Sequence, residues 1–225
     1  MSSDYSRLLR DARRELAPNR FSRALVSPAG RAAIVMAAVV ALLWLMEILD
    51  TLLGHALDAL ALDPRVLTSL PEVFTAPLVH FGFAHLAANT VPLFVLGFLV
   101  ALRGLGRFAL VSLIVVGIGG ALTWLTESPG AVGGASGVVF GYFGFLLARG
   151  IFDRRLVDIL IGVAVFLVYG GMLWGILPTQ PFISWKGHLF GLVAGVFAAW
   201  WLRRGRTAGS LPPPRRPGLQ GPVST

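Results

Sequence analysis

Phe108-Ala-Leu-Val-Ser-Leu-Ile-Val-Val-Gly-Ile-Gly-Gly-Ala-Leu-Thr-Trp-Leu-Thr126 runs for 19 residues without a charge. A hydrocarbon core about 30 Å thick needs about 20 apolar residues of helix to cross it, so this stretch reads as a membrane span. It has companions. Further uncharged runs extend from Ala32 to Met46, Pro92 to Leu102, Ser128 to Ala148, Ile159 to Ser184 and Gly187 to Leu202. Hydrophobic residues make up 56% of the chain and charged residues only 13%, which argues against a water-soluble globule of 225 residues. The fold class is therefore all-α, a polytopic membrane protein with six transmembrane helices at about 32–54, 84–102, 108–127, 135–150, 156–177 and 186–202.

The absence of cysteine excludes disulfides, thiol catalysis and thiolate metal sites. The formal charge of +8 is carried by cations in short blocks beside apolar runs, so it reads as topology and not as nucleic-acid binding. With the N-terminus on side one, 17 of the 19 cations fall on that side, in the tails, loops and span ends; Arg65 and Lys186 fall on the other. Short-loop Lys/Arg bias then places both termini in the cytoplasm. Residues 1–30 read as a cytoplasmic tail with a surface helix around Tyr5–Leu16, and 31–203 as the membrane domain. Residues 204–225, with Pro212-Pro213-Pro214, read as a disordered cytoplasmic tail. The six arginines and three acids of the N-terminal stretch do not resemble a signal peptide.

Polar groups inside spans are costly and mark candidate sites. The second span opens with His80-Phe-Gly-Phe-Ala-His85-Leu-Ala-Ala-Asn89, the fourth with Gly133-Gly134-Ala135-Ser136-Gly137, the sixth with Lys186-Gly187-His188. Asn89 precedes Arg103 by 14 residues, Ser136 precedes Arg149 by 13 and His188 precedes Arg203 by 15. At about 1.5 Å per residue all three lie roughly 20–22 Å from the inner face. The three helices run the same way, so Ser136, His188 and Asn89 share one level.

Small residues let helices approach closely. Gly137, Gly141 and Gly144 mark the fourth span, and Gly187, Gly191 and Gly195 the sixth. Such packing would bring Ser136 to His188. A serine needs an adjacent base to act as a nucleophile, and no carboxylate lies near His188 in sequence or at its depth except Glu47, so a Ser-His dyad is expected instead of a triad. His85 and Asn89 are four apart and share a helix face, from which they can donate hydrogen bonds to the anionic oxygen of a tetrahedral intermediate, joined by the Ser136 backbone N–H. Because the fourth span is short, Ser128–Gly134 is expected to dip into the membrane, where irregular backbone must be buried in protein or line a water-filled cavity.

These residues resemble the rhomboid family of intramembrane serine proteases. Gly134-Ala135-Ser136-Gly137 is similar to its G-x-S-G nucleophile motif, Lys186-Gly187-His188 with the glycines that follow to its histidine helix, and His80, His85 and Asn89 to its second-helix pattern, the whole covering about residues 30–203. The resemblance implies Ser136 as nucleophile, His188 as general base and acid, and His85, Asn89 and Ser136 at the oxyanion hole. It also implies supporting roles for Gly134 and Gly137, for Phe140 as an aromatic stacked on the histidine ring, and for His80 as a structural residue ending the first outer loop. The Trp-Arg pair usual in that loop is Pro71-Glu72 here.

The function so implied is hydrolysis of a peptide bond in or beside the transmembrane helix of another membrane protein, in a bacterial plasma membrane, with the site opening to the extracytoplasmic side. Substrate would enter past the fifth span, with Pro178–Trp185 as cap. No cofactor and no nucleic-acid partner is expected. A metal on His80, His85 and His188 is disfavoured because no acidic or thiol ligand joins them, and no H-E-x-x-H zinc motif is present. Two rivals are an inactive rhomboid-like protein that binds membrane helices, which intact Ser136 and His188 oppose, and a small transporter. The transporter is opposed by the lack of an obvious inverted repeat and by a polar cluster near one face.

Overall fold

A computed structural model describes residues 24–179 and 183–203. Among the described residues six helices carry the fold: α1 (Pro28–Leu52), α2 (Phe83–Ala101), α3 (Leu105–Thr126), α4 (Ser136–Asp153), α5 (Leu156–Tyr169) and α6 (Trp185–Trp201). The apolar runs thus become the helices, with ends shifted by a few residues from the sequence reading. Five stretches, the α5 one continuing to Ile176, are long and apolar enough to cross a membrane; α6, at 17 residues, is slightly shorter. The predicted helix near the N-terminus and the C-terminal tail lie outside the described residues.

Ends are set by local chemistry. Ser27 caps α1 through its hydroxyl, which accepts the Gly30 N–H at 2.9 Å. Ser184 does the same for α6, accepting the Gly187 N–H at 3.0 Å, and its hydroxyl donates to Glu127 at 2.7 Å. Two helices change winding partway. A π-turn at Val115–Gly119 interrupts α3, and α5 tightens into a 3-10 segment over Gly170–Ile176. The long loop between α1 and α2 is built from 3-10 turns at Ala56–Leu60, Leu67–Phe74 and Ala76–Leu78. Pro71 sits inside the second turn, and the Trp124 indole N–H holds the loop at the Val66 carbonyl, 3.0 Å away.

The core centres on α4. Of its membrane window 67% is buried, against 17% for α5, so α4 is the inner helix and α5 a peripheral one. Phe143, Phe145 and Leu146 on α4 are fully enclosed, with Leu86, Leu96 and Val111 from α2 and α3. The closest packing is between α4 and α6, where glycine faces glycine. A Cβ added at Gly191 would lie 2.1 Å from the Gly137 carbonyl oxygen, and one at Gly195 only 1.9 Å from that of Gly141. These distances are far inside van der Waals contact, so backbone meets backbone.

At the opposite end of α4 from Ser136, Arg149 is 4% exposed and pairs with Asp153 at 2.7 Å and Asp158 at 3.5 Å; Arg103 bonds the same Asp158. The sequence reading treats Arg149 as a loop cation, whereas the protein buries it in an ionic cluster that joins the end of α2, the end of α4 and the start of α5. Removing one partner of a buried pair strands the other charge at about 3–5 kcal/mol. Asp158→Leu is therefore expected to lower stability by that order, read as a lower midpoint of thermal unfolding in detergent.

Candidate active site

Ser136 is the first residue of α4, and its helix start is fixed by the irregular segment before it. Leu62 and Val132 exchange backbone hydrogen bonds of 2.9 Å, the Gly134 N–H donates to the Ala76 carbonyl at 3.0 Å, and the Ala135 N–H donates to Nε2 of His80 at 3.3 Å. Gly134 adopts φ 120°, a conformation that favours glycine, and a Cβ there would stand 2.7 Å from the His85 ring. The segment is thus held between the first loop and α2.

His188 lies in the first turn of α6, 8% exposed. Its Nε2 is 2.8 Å from the Ser136 hydroxyl, and its Nδ1 is 2.9 Å from the Gly175 carbonyl oxygen. A carbonyl can only accept, so Nδ1 carries the hydrogen and donates it. Nε2 then presents a lone pair, and the serine hydroxyl donates to it. The ring lies against Phe140, with centroids 4.2 Å apart and planes 11° from parallel. Gly175 is also close: a Cβ at that position would be 3.1 Å from His188 Nδ1 and 3.1 Å from Phe140. Three elements, α4, α6 and the 3-10 end of α5, meet at one imidazole.

The remaining predicted residues gather nearby with different contacts. His85 is half-buried, near Gly134, its ring 5.1 Å from that of His80 in an edge arrangement. Asn89 is buried and its amide donates to the His85 carbonyl at 3.1 Å, one turn back in its own helix. One amide hydrogen is used there; a second is left for another acceptor. Gly137 faces the Gly187 carbonyl at 3.4 Å from a built Cβ, on the α4–α6 contact.

His80 is 2% exposed and sits outside the membrane helices, and burial, reinforced by neighbouring His85, pushes its pKa from 6.5 down to about 4. In an unfolded chain the same imidazole takes a proton near its ordinary 6.5. Between these values the unfolded state binds the extra proton, so His80 weakens folding as pH falls from 6.5 towards 4 and costs nothing above 6.5. The full effect is on the order of 3 kcal/mol. Unfolding midpoints measured across this range should fall more steeply for wild type than for His80→Gln, which keeps an acceptor for the Ala135 N–H.

Sequence reasoning misses the Gly175 carbonyl, because every residue carries one and only the fold chooses which meets the histidine. The closely spaced Gly170, Gly171 and Gly175 are the available signal, as they favour departure from α-helical winding.

Comparison with known proteins accords with this architecture. The family model for the rhomboid domain matches residues 68–205. An uncharacterized protein of Mycobacterium tuberculosis is 46% identical over 172 residues, 72% of each chain. Rhomboid protease GluP of Bacillus subtilis is 35% identical over 130 residues, 57% of this chain and 25% of that protein. The chloroplastic rhomboid-like protein 11 of Arabidopsis thaliana is 31% identical over 150 residues, covering 59% of this chain and 52% of that one. With a family match over more than half its length and a set of long apolar helices, this chain is an integral membrane protein and belongs to the rhomboid family.

Proposed function

We propose that the protein is an intramembrane serine endopeptidase that cleaves transmembrane segments of other membrane proteins through a Ser136–His188 dyad. The observation that carries this reading is the 2.8 Å contact from the Ser136 hydroxyl to an imidazole whose other nitrogen is held by Gly175. That pairing makes a nucleophile of an otherwise weak hydroxyl. Ser136 Oγ attacks the scissile carbonyl carbon while His188 Nε2 takes its proton. The developing oxyanion is met by the Ser136 N–H, His85 and the second amide hydrogen of Asn89. His188 then returns the proton to the leaving amine, and water repeats the sequence on the acyl-enzyme. Gly134, Gly137, Phe140 and His80 support this geometry without touching the reacting atoms.

The substrate helix must unwind locally to expose a carbonyl, so small or helix-breaking residues are expected at the cut. The peripheral position of α5 supports entry on its side, past residues 156–177, with Pro178–Trp185 as cap; residues 180–182 of that cap lie outside the described residues. The cation distribution supports a membrane domain at 31–203 with both termini cytoplasmic and the site open to the other side, and the richness in Ala, Arg, Gly and Leu supports a bacterial plasma membrane.

The test is covalent labelling of the full-length protein in lipid by a fluorophosphonate, followed by mapping of the modified residue. One adduct is expected, on Ser136, and it is expected to disappear in His188→Ala because the hydroxyl loses its base. Labelling at another residue, or undiminished labelling without His188, would falsify the assignment. Solute flux through proteoliposomes that persists in both Ser136→Ala and His188→Ala would favour transport instead.

A further inference from the structure

At the loop end of α1, away from the dyad, three ionisable side chains converge. Asp50, His55 and Asp58 each offer one ligand atom, and these atoms all lie within 4.8 Å of one another. One turn earlier on α1, Glu47 is 2% exposed; its carboxylate oxygens make no hydrogen bond of normal geometry, although the Gly82 backbone N–H acts on them. It shares with Asp50 a cavity of about 10 Å³ that Leu57, Leu78 and His80 also line. Oδ1 of Asp58 is likewise buried without a partner. Among the described residues no lysine or arginine forms an ion pair with any of the three carboxylates. Buried carboxylate oxygens left without donors are rare, and an ion is one of the few things that satisfies several at once.

We propose that Asp50, His55 and Asp58 bind a divalent transition-metal cation at the loop end of α1. One imidazole nitrogen with carboxylates is a donor set suited to Zn²⁺ or Mn²⁺, while Ca²⁺ takes oxygen ligands. The backbone prepares the set. His55 has φ 66°, and its N–H donates to the Asp50 carbonyl at 2.8 Å, which folds the ring back over the end of α1. Its Nδ1 lies 2.8 Å from Oδ2 of Asp50, while Oδ1 of Asp50 accepts the Leu57 N–H at 2.8 Å and so is oriented before any cation arrives. On binding, Nδ1 gives its lone pair to the cation and its hydrogen moves to Nε2, as imidazole ligation requires. The cation would tie the start of the first loop to α1.

The experiment uses full-length protein in detergent, stripped with a chelator and dialysed, then titrated separately with Zn²⁺, Mn²⁺ and Ca²⁺. Saturable uptake of one Zn²⁺ per chain is expected, with a rise in unfolding temperature that levels off at one equivalent. Co²⁺ in its place should give visible absorption bands that Zn²⁺ abolishes. His55→Gln and Asp58→Asn alter solvent-facing or half-buried side chains and leave the fold intact; each is expected to weaken Zn²⁺ binding by roughly 100-fold, at least the loss seen when outer-shell partners are removed. No saturable uptake would overturn the proposal. So would Zn²⁺ binding undiminished in both variants, which puts the ion elsewhere, for example on His80, His85 and His188. Preference for Ca²⁺ with indifference to His55→Gln would overturn the nitrogen ligand.

Discussion

Ser136→Ala in protein reconstituted with a model transmembrane substrate is expected to reduce cleavage by a factor on the order of 10⁴ or more, the scale on which serine hydrolases lose turnover without their nucleophile. His188→Ala is expected to do the same. The two groups act as one unit, because the hydroxyl without its base stays protonated and the base without the hydroxyl has nothing to activate. The double variant should therefore be no slower than either single one. Unfolding temperatures should hardly move for Ser136→Ala, which removes one oxygen from a half-buried helix start. Retention of a tenth of wild-type turnover by either single variant would end the dyad reading.

The second large effect is structural. Gly195→Val places a Cβ where 1.9 Å now separates it from the Gly141 carbonyl oxygen, and main chain cannot rotate aside as a side chain can. Overpacking in a core typically costs about 1–3 kcal/mol and occasionally more. Here the upper end is expected, because α4 and α6 must part along their whole contact. Ser136 and His188 sit at one end of that contact, so fluorophosphonate labelling should fall together with thermal stability. Gly106→Ala is the control, since a Cβ there has no neighbour within 4 Å. If Gly195→Val unfolds at the wild-type temperature, the close approach of α4 and α6 is not what holds the bundle.

Helix positions were legible in the sequence because water-to-lipid transfer leaves a coarse record: long uncharged runs ended by arginine. The common level of Ser136, His188 and Asn89 followed from residue counts, and two of the three meet directly. What the counts do not contain is lateral contact. Arg149 at the end of an apolar run looks like a solvated loop cation, and its contact with Asp158 of α5 cannot be read from spacing along the chain. Asn89 gives no sign that its amide bonds the previous turn. Glu47, Asp50, His55 and Asp58 spread over twelve positions of unrelated winding, and the left-handed turn at His55 is what gathers the last three. Changes of winding at Val115–Gly119 and Gly170–Ile176 depend on packing more than on composition.

The partner of His188 Nδ1 is main chain, and this has a genetic consequence. A scan of every side chain would find Ser136 and His188, but at position 175 it would report the crowding of a new Cβ against the imidazole and Phe140, since each substitution there preserves the carbonyl. What can remove it is rewinding: if Gly170–Ile176 relaxed from 3-10 to α-helix, the peptide unit of Gly175 would rotate, its oxygen would turn away from the ring, and the imidazole would be free to swap its hydrogen between nitrogens. The proton inventory of the histidine is thereby written in the pitch of a neighbouring helix.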